Sequence, residues 1–235
     1  MNIPATLFSS PARTSLALFI FCIASGLQRC HGLDAPNPPG LPSVWAPGSK
    51  DLIGTAASPL SKIYFTGAQG MLTEVFYPSP DTVQNIDMEF LVEDAAKTFG
   101  PADGEEKLQH TQSVRLVDKR AMLWEASTTA NNGAWRIIKR IFTDPARSTL
   151  VERVVFQVLD SGKSVSDFDL FVLNHPGINN AGGNDNSRSI TDGNRILLAA
   201  WKPNAAASAL GVSLPWKHKG ALAMVSNGFV GQNDG

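Results

Sequence analysis

The stretch GMLTEVFYPSPDT, Gly70 to Thr82, places a glycine before an extended run, and the run ends abruptly at an aromatic residue beside two prolines. Residues 71–77 favour a strand, and residues 62–66 form a β-rich run before them, so the glycine-bounded segment between the two predicts a β-hairpin turn. Proline cannot donate to a sheet ladder, so the two prolines end the strand. We therefore expect Tyr77 at the sheet rim, and Glu74 either paired with a basic neighbour or on an outer face.

Further strand-like runs follow along the chain, with glycine or proline at their joints. They cover residues 88–92, 113–118, 121–125, 135–142, 149–158, 168–173, 195–201 and 221–225. No segment reads as a helix longer than a turn or two. Regularly spaced strands of this kind predict an all-β fold, a large antiparallel β-sandwich.

The composition narrows the class of protein. The chain has 235 residues, with 20 Lys and Arg against 21 Asp and Glu, so its formal net charge is −1. This balance provides no basic field for nucleic acid or an anionic membrane. A hydrophobic content of 43% argues against disorder. The length allows one large all-β domain.

The first 32 residues read as a secretory signal peptide. Arg13 precedes the apolar run of residues 15–24, which is too short to span a bilayer comfortably, and small residues follow. Cleavage after Gly32 is favoured over cleavage after Gly26, and an uncut membrane anchor is the alternative. The mature protein is then expected to be secreted or periplasmic and free of the membrane.

Both cysteines lie in this leader. Cleavage after Gly32 would remove Cys22 and Cys30 and leave a mature chain without thiol or disulfide, stabilised by burial alone. Residues 33–43 are rich in proline and predict an extended arm. The β-sandwich domain is expected to cover residues 44–235.

Catalytic chemistry on sugars needs two carboxyl groups about 5–10 Å apart. The candidate pairs are Asp87 with Glu89, Glu93 with Asp94, and Glu105 with Glu106, although neighbouring exposed carboxylates are also common on sheet surfaces. The chain has no Gly-x-Ser-x-Gly turn, no closely spaced Cys and His ligands and no phosphate loop. The histidines His110, His175 and His218 read as surface or hydrogen-bonded residues.

An Asn-, Gly- and Asp-rich segment and the tryptophans each have a possible binding role and an ordinary structural one. Residues 179–187 are rich in Asn, Gly and Asp, so Asp185 and Asp192 are weak calcium candidates, although such runs are usually turns. No other metal or cofactor is expected. Among the tryptophans, Trp45 and Trp216 lie beside prolines in loops and are candidates for stacking on sugar or on another domain. Trp124 and Trp135 lie inside predicted strands and are expected in the core.

Residues 44–99 resemble the start of the amino-terminal domain of bacterial glucoamylases and glucodextranases, glycoside hydrolase family fifteen. Within residues 44–99 the resemblance rests on these motifs: Gly54-Thr-Ala with Ser58-Pro59, Gly70 through Pro78, Asp81, and Asp87 with Phe90-Leu-Val92. Further along the chain it continues through Thr143-Asp-Pro-Ala-Arg147, residues 179–183, Gly228-Phe-Val-Gly231 and Asp234-Gly235. It covers almost all of the expected mature chain.

The resemblance implies a galactose-mutarotase-like sandwich that precedes an (α/α)₆ barrel. In the family the barrel carries two catalytic glutamates and releases glucose from the non-reducing ends of an α-glucan, with inversion. These glutamates have no counterpart in residues 1–235, so no catalytic residue is assigned, and the sandwich's own last strands are expected beyond Gly235. Tyr77 and Asp81 become candidates for substrate contact or for an interface with the barrel, with an ordinary turn as the alternative.

Two hypotheses follow. The first is the accessory domain of a secreted α-glucan exo-hydrolase that acts on α-1,4 or α-1,6 links. The second is a free-standing secreted carbohydrate-binding module. A mutarotase ranks last, because the sequence shows no matched histidine and glutamate pair.

Overall fold

The computed structural model describes residues 48–94, 106, 110–180 and 185–216, together with the backbone of residues 14–24. The described residues form strands and two short 3-10 turns, at Val165–Asp167 and Ile178–Asn180. The strands are β1 (Thr14–Ala24), β2 (Leu52–Thr55), β3 (Tyr64–Ala68), β4 (Met71–Phe76), β5 (Val83–Asp94), β6 (His110–Asp118), β7 (Leu123–Ala130), β8 (Trp135–Thr143), β9 (Thr149–Val158), β10 (Phe168–Pro176), β11 (Asn186–Asp192), β12 (Arg195–Trp201) and β13 (Ala207–Val212).

Two antiparallel sheets make up the architecture. The larger has the order β11-β12-β13-β1-β9-β8-β7-β6, and the smaller has the order β10-β5-β4-β3-β2. One hydrophobic core joins them, with Leu52, Phe65 and Phe90 from the smaller sheet and Ile137 and Leu150 from the larger. The predicted antiparallel β-sandwich is confirmed.

The predicted hairpin is present with a tighter turn than expected. Gln69 and Gly70 both have positive φ, at 54° and 73°, and form a two-residue connection between β3 and β4. Gly67 does not end the strand but lies within it. A Cβ at Gly67 would lie 2.6 Å from the carbonyl oxygen of Met71, so the close approach of the two strands requires glycine there.

The side-chain alternation of β5 assigns the two faces of the smaller sheet. Met88, Phe90 and Val92 belong to the core, so Asp87 and Glu89 point to the opposite, outer face. In the larger sheet, β8 shows a strict alternation of buried and partly buried positions.

Several strand predictions need correction. β2, β11 and β13 were not predicted, because β2 is only four residues long, β11 is polar and β13 is rich in alanine and glycine. β5, β6, β7 and β10 extend beyond the predicted runs. The proline-rich arm at 33–43, Trp45 and the predicted strand at 221–225 lie outside the described residues.

The backbone of residues 14–24 forms β1, which lies between β9 and β13 in the larger sheet. These residues belong to the predicted signal peptide, which stays a prediction. Within the described part of the chain, no helix is long and apolar enough to cross a membrane.

Candidate functional site: a cleft on the outer sheet face

An open cleft of about 370 Å³ lies where β4 ends, on the outer face of the smaller sheet. Its lining combines an apolar wall with polar groups: Lys50, Thr66, Glu74, Phe76, Val83 and Asn180. An aromatic ring beside hydrogen-bonding side chains is the composition that sugar-binding surfaces use, because a sugar ring has an apolar C–H face and a polar edge.

Glu74 is the carboxylate of the cleft lining. Lys50 Nζ donates to Glu74 Oε1 at 2.9 Å and lies 2.7 Å from Oε2, and Thr66 Oγ1 donates to Oε2 at 2.6 Å. Burial raises the pKa of Glu74, but the hydrogen bonds from Lys50 and Thr66 outweigh burial and hold the pKa below its usual value. Glu74 therefore meets both expectations, since it pairs with a basic residue and lies on the outer face.

Tyr77 follows β4 at the edge of the cleft. Its ring packs against the core, its backbone N–H donates to the Thr82 carbonyl oxygen at 2.9 Å, and its own carbonyl accepts from Gln84 Nε2 at 2.7 Å. The Tyr77–Pro78 peptide bond is cis. The side chain that was expected at the rim is thus half-buried, and part of its surface is committed to the core.

Asp81 lies in the turn after Tyr77 and is exposed. The hydroxyl of Ser79 donates to its carboxylate and lowers the pKa of Asp81. Asn180 connects this turn to the cleft, because its Nδ2 donates to the Asp81 carbonyl oxygen at 2.9 Å and its Oδ1 accepts from Val83 N–H at 2.6 Å. The turn is held on the strand end by a residue far away in sequence.

The pair Asp87 and Glu89 shares one sheet face, as predicted, but the two side chains are buried rather than exposed. Neither carboxylate oxygen of Asp87 has a hydrogen-bond partner among the described residues. His175 of β10 lies opposite Asp87, and its Nδ1 is 3.8 Å from Asp87 Oδ1. The sequence shows no matched histidine and glutamate pair, but the structure brings His175 and the carboxylate of Asp87 together.

Glu106 occupies the interior and not the cleft. Lys139 Nζ and Thr128 Oγ1 both donate to Glu106 Oε1, the latter at 2.8 Å, and the Phe90 N–H donates to Oε2 at 3.2 Å. Lys139 and Glu106 are both fully buried. Glu105 and the side chain of Asp94 lie outside the described residues, so the candidate pairs that include them stay untested.

The expectation that the histidines are surface or hydrogen-bonded residues is wrong for His110. Its ring lies against Trp135 with the centroids 4.7 Å apart, and neither ring nitrogen has a hydrogen-bond partner in the described part of the chain. Burial lowers the pKa of His110 to about 4, so the ring is neutral at physiological pH. His218 lies outside the described residues.

Trp135 is buried in the core, as predicted, and Trp124 packs against the core while its Nε1 donates to the Ile53 carbonyl oxygen at 2.9 Å. Trp216 also packs on the core, and its Nε1 donates to the Ile196 carbonyl oxygen at 3.0 Å. The structure therefore does not bring Trp216 to the cleft, and a stacking role would use only its remaining surface.

The calcium candidates lie apart. Asp185 accepts a 2.8 Å hydrogen bond from the Ile178 N–H, and burial raises the pKa of Asp185 to about 6. Asp192 lies at the other end of β11, roughly 20 Å away for an extended strand. No group of three or more His, Cys, Asp or Glu side chains could hold a metal ion within the described residues. Residues 181–184 are not described, and calcium binding stays a prediction.

Sequence reasoning missed most of the cleft lining. Lys50, Phe76 and Asn180 come together only because the residues before β2, the end of β4 and the turn after β10 meet on the outer face of the smaller sheet. The one local signal was Glu74, a charged residue within an otherwise apolar strand. Hydrolysis of a glycosidic bond needs two opposed carboxyl groups, and the described cleft lining supplies one.

A family model for glucodextranase, domain N, matches residues 35–235. The chain belongs to this family. A glucoamylase from Clostridium sp. (strain G0005) is 31% identical over 191 residues, which cover 81% of the chain and 26% of that protein. The crystal structure of a bacterial glucoamylase complexed with acarbose superposes with a TM-score of 0.68 at 28% identity, over 79% of the chain and 26% of that structure.

The chain therefore spans about a quarter of the length of these two glucoamylases. The suspected resemblance is confirmed, and the chain is a glucoamylase-type domain N with the sandwich fold that the structural match shares.

Proposed function

We propose that this domain N is the non-catalytic amino-terminal part of a secreted α-glucan exo-hydrolase of the glucan 1,4-α-glucosidase type, which releases glucose from non-reducing ends. The observation that carries the proposal is the family match over residues 35–235, combined with relatives that extend far beyond this domain. The reaction then belongs to carbohydrate metabolism, and its substrate is an α-glucan or oligosaccharide.

The electrostatics of the cleft support a non-catalytic role. A general acid needs a raised pKa so that it holds a proton at the working pH. The hydrogen bonds from Lys50 and Thr66 lower the pKa of Glu74, which leaves it ionised and engaged. In this proposal the acid and the base belong to an (α/α)₆ barrel in the longer protein.

The turn that carries Tyr77 and Asp81 is proposed as a contact with that barrel. Asp81 is exposed, while Asn180 and Ser79 hold the turn in one conformation. A preorganised, exposed acidic turn suits an interface because little conformational entropy is lost on docking. Export through residues 1–32, and a secreted or periplasmic location, belong to the same proposal.

Glucose release from maltodextrin tests whether the catalytic groups lie outside this domain. We expect the purified 235-residue chain to release no glucose, while the full-length enzyme does. Turnover by the 235-residue chain that disappears in Asp87→Asn or Glu89→Gln would overturn the proposal, because it would place the chemistry on the buried acidic pair of the sandwich.

A free-standing carbohydrate-binding module is the second candidate, and the composition of the cleft favours it. Phe76 could stack on a sugar ring beside Asn180 and the Lys50–Glu74 pair. Calorimetric titration of maltoheptaose into the wild-type chain and Phe76→Ala distinguishes the two. Binding that Phe76→Ala abolishes supports the module, and a coding sequence that continues into a long helical segment supports the enzyme.

A further inference from the structure

The outer face of the larger sheet carries a row of charged side chains at one register position. Four neighbouring strands contribute one residue each, in the order Arg115 of β6, Glu125 of β7, Arg140 of β8 and Arg153 of β9. The alternating burial of β8 and β9 puts these side chains on the outside of the sandwich. The side chains of Arg115 and Arg140 are 66% and 43% exposed, and Arg153 is exposed as well. We call these four residues the arginine row.

Glu125 neutralises only part of the arginine row. Arg115 donates to Glu125 Oε1 through Nε at 2.9 Å and also through Nη2, and Arg140 Nε donates to Oε2 at 2.9 Å. These hydrogen bonds hold the pKa of Glu125 below its usual value, so its carboxylate is ionised and both oxygens are engaged. The row therefore holds three positive charges and one negative charge, in a chain whose formal net charge is −1.

Arg140 and Arg153 lie side by side with no carboxylate between them. Arg140 reaches Glu125 only through Nε, so its two Nη groups have no hydrogen-bond partner among the described residues. Arg153 makes no hydrogen bond or ion pair with any described residue. Like charges directly opposite each other on adjacent strands are destabilising. An oxyanion between the two guanidinium groups would offset this repulsion, because arginine binds phosphate and carboxylate through paired hydrogen bonds.

The neighbouring row of the same sheet face suits a carbohydrate. Two residues along each strand, the outward-facing side chains are Ser113, Ser127, Ile138 and Val155. Hydroxyl groups and branched apolar side chains match the polar edge and the apolar C–H face of a sugar ring. This row lies about 7 Å from the arginine row, since a strand rises about 3.4 Å per residue. A sugar on the hydroxyl and apolar side chains can therefore present an attached oxyanion to the arginines.

The charge of the arginine row selects among possible glucan ligands. An unmodified α-glucan is neutral, so it does not need two guanidinium groups that lack a carboxylate partner. A phosphate monoester gives an α-glucan a negative charge and acceptor oxygens that two arginines can share.

We propose that Arg140 and Arg153 bind the phosphate monoester of a phosphorylated α-glucan, whose sugar rings lie on the neighbouring row. This inference rests on the proposed function, which supplies an α-glucan as the substrate of the longer protein. It assigns the larger sheet a ligand class that the cleft of the smaller sheet does not share, because Glu74 in that cleft would repel a phosphate group.

Thermal unfolding with inorganic phosphate tests the oxyanion site. At constant ionic strength, phosphate at ten times its dissociation constant should raise the Tm of the wild-type chain over that in chloride by about 3–6 °C. Arg153→Ser should remove this rise, because a single guanidinium group then faces the anion. Arg195→Ser, which removes an exposed arginine of β12, is the matched control and should keep the rise. Because phosphate also stabilises proteins by exclusion from their surface, the difference between the two variants measures the site.

Native gel electrophoresis in amylopectin tests the ligand. Potato amylopectin that carries phosphate should retard the wild-type chain with an apparent affinity about tenfold higher than the same amylopectin after phosphatase treatment. Arg153→Ser should be retarded equally by both preparations, and Arg195→Ser should behave as wild type.

Arg153→Glu separates binding from a structural role. It places opposite charges at the Arg140 position of the ladder, so its Tm in chloride should equal or exceed that of wild type while the preference for phosphorylated amylopectin is lost. Loss of both stability and preference would overturn the inference, because the row would then serve the fold.

Three other results would overturn it: equal retardation of wild type by both amylopectins, a full phosphate response in Arg153→Ser, or Arg153-dependent binding to phosphatidylglycerol vesicles without binding to phosphorylated amylopectin. None of these readouts measures glucose release. Phosphate recognition and the proposed accessory role can therefore fail separately.

Discussion

Two lysine–glutamate pairs in this sandwich use the same chemistry in opposite surroundings. Lys50 and Glu74 meet at the cleft, with side chains 19% and 11% exposed, whereas Lys139 and Glu106 meet in the core with no exposure. In the outer pair, Lys50 and Glu74, water can take the place of either charged group. In the inner pair it cannot, and Thr128 and the Phe90 N–H are needed to complete the hydrogen bonds of Glu106.

A second glutamate lies near the buried Lys139–Glu106 pair, and the Lys50–Glu74 pair at the cleft has no equivalent of it. Glu152 of β9 is fully buried, and burial raises its pKa to about 8 despite attraction from Lys139. Neither Glu152 carboxyl oxygen has a hydrogen-bond partner among the described residues. The core therefore holds one lysine near two buried glutamates, and burial keeps Glu152 protonated at neutral pH.

Removal of the core lysine should have the largest effect. Lys139→Met leaves Glu106 without its counter-ion, and we expect a loss of about 3–5 kcal/mol in the free energy of unfolding. Urea unfolding followed by tryptophan fluorescence measures the loss. The double variant Lys139→Met with Glu106→Gln should recover part of it, and no recovery would show that lost packing, not the unpaired charge, sets the cost.

The titration of Glu152 should have the next largest effect. The pKa of Glu152 is higher in the folded chain than the ordinary value of 4.5, so its contribution to stability is fully present below pH 4.5 and is lost as the pH rises through about 8. The slope is at most about 1.4 kcal/mol per pH unit. Unfolding free energies at pH 6, 7, 8 and 9 should fall in wild type and fall less in Glu152→Gln. Parallel curves for the two proteins would contradict this role of Glu152.

The buried pair also shows which features the sequence predicts: the strands that carry such residues can be located, but the contacts between them cannot. The sequence located β8 almost to the residue and β9 with its observed bounds, because both are long strand-like runs and Asp144-Pro145 separates them. The alternating burial of β8 puts Lys139 on its buried face, but the sequence indicates no partner for it. Glu106 lies between β5 and β6 in the sequence and meets Lys139 only through a tertiary contact, which no local pattern encodes.

The candidate site was less predictable than the fold. Glu74 and the end of β4 could be located because strand propensity and the prolines that end a strand are visible in neighbouring residues. Asp87 and His175 face each other only through the β5–β10 ladder, and Asn180 reaches the Asp81 turn from the segment that follows β10. Contacts between segments so distant in sequence depend on the strand order of the sheets, which local sequence patterns do not reveal.

The outer pair should give the smallest effect, and its pH dependence has the opposite sign. Lys50→Met should cost about 1 kcal/mol, because water can replace the ammonium group beside Glu74. The pKa of Glu74 is lowered in the folded chain, so its contribution is present above pH 4.5 and is lost as the pH falls through the lower folded value. Wild type should therefore lose stability below pH 4.5 more steeply than Glu74→Gln, as measured by urea unfolding between pH 3 and pH 6. A Lys50→Met loss as large as that of Lys139→Met would mean that the cleft is closed to solvent, and the sugar-binding and domain-contact roles proposed for it would then lose their physical basis.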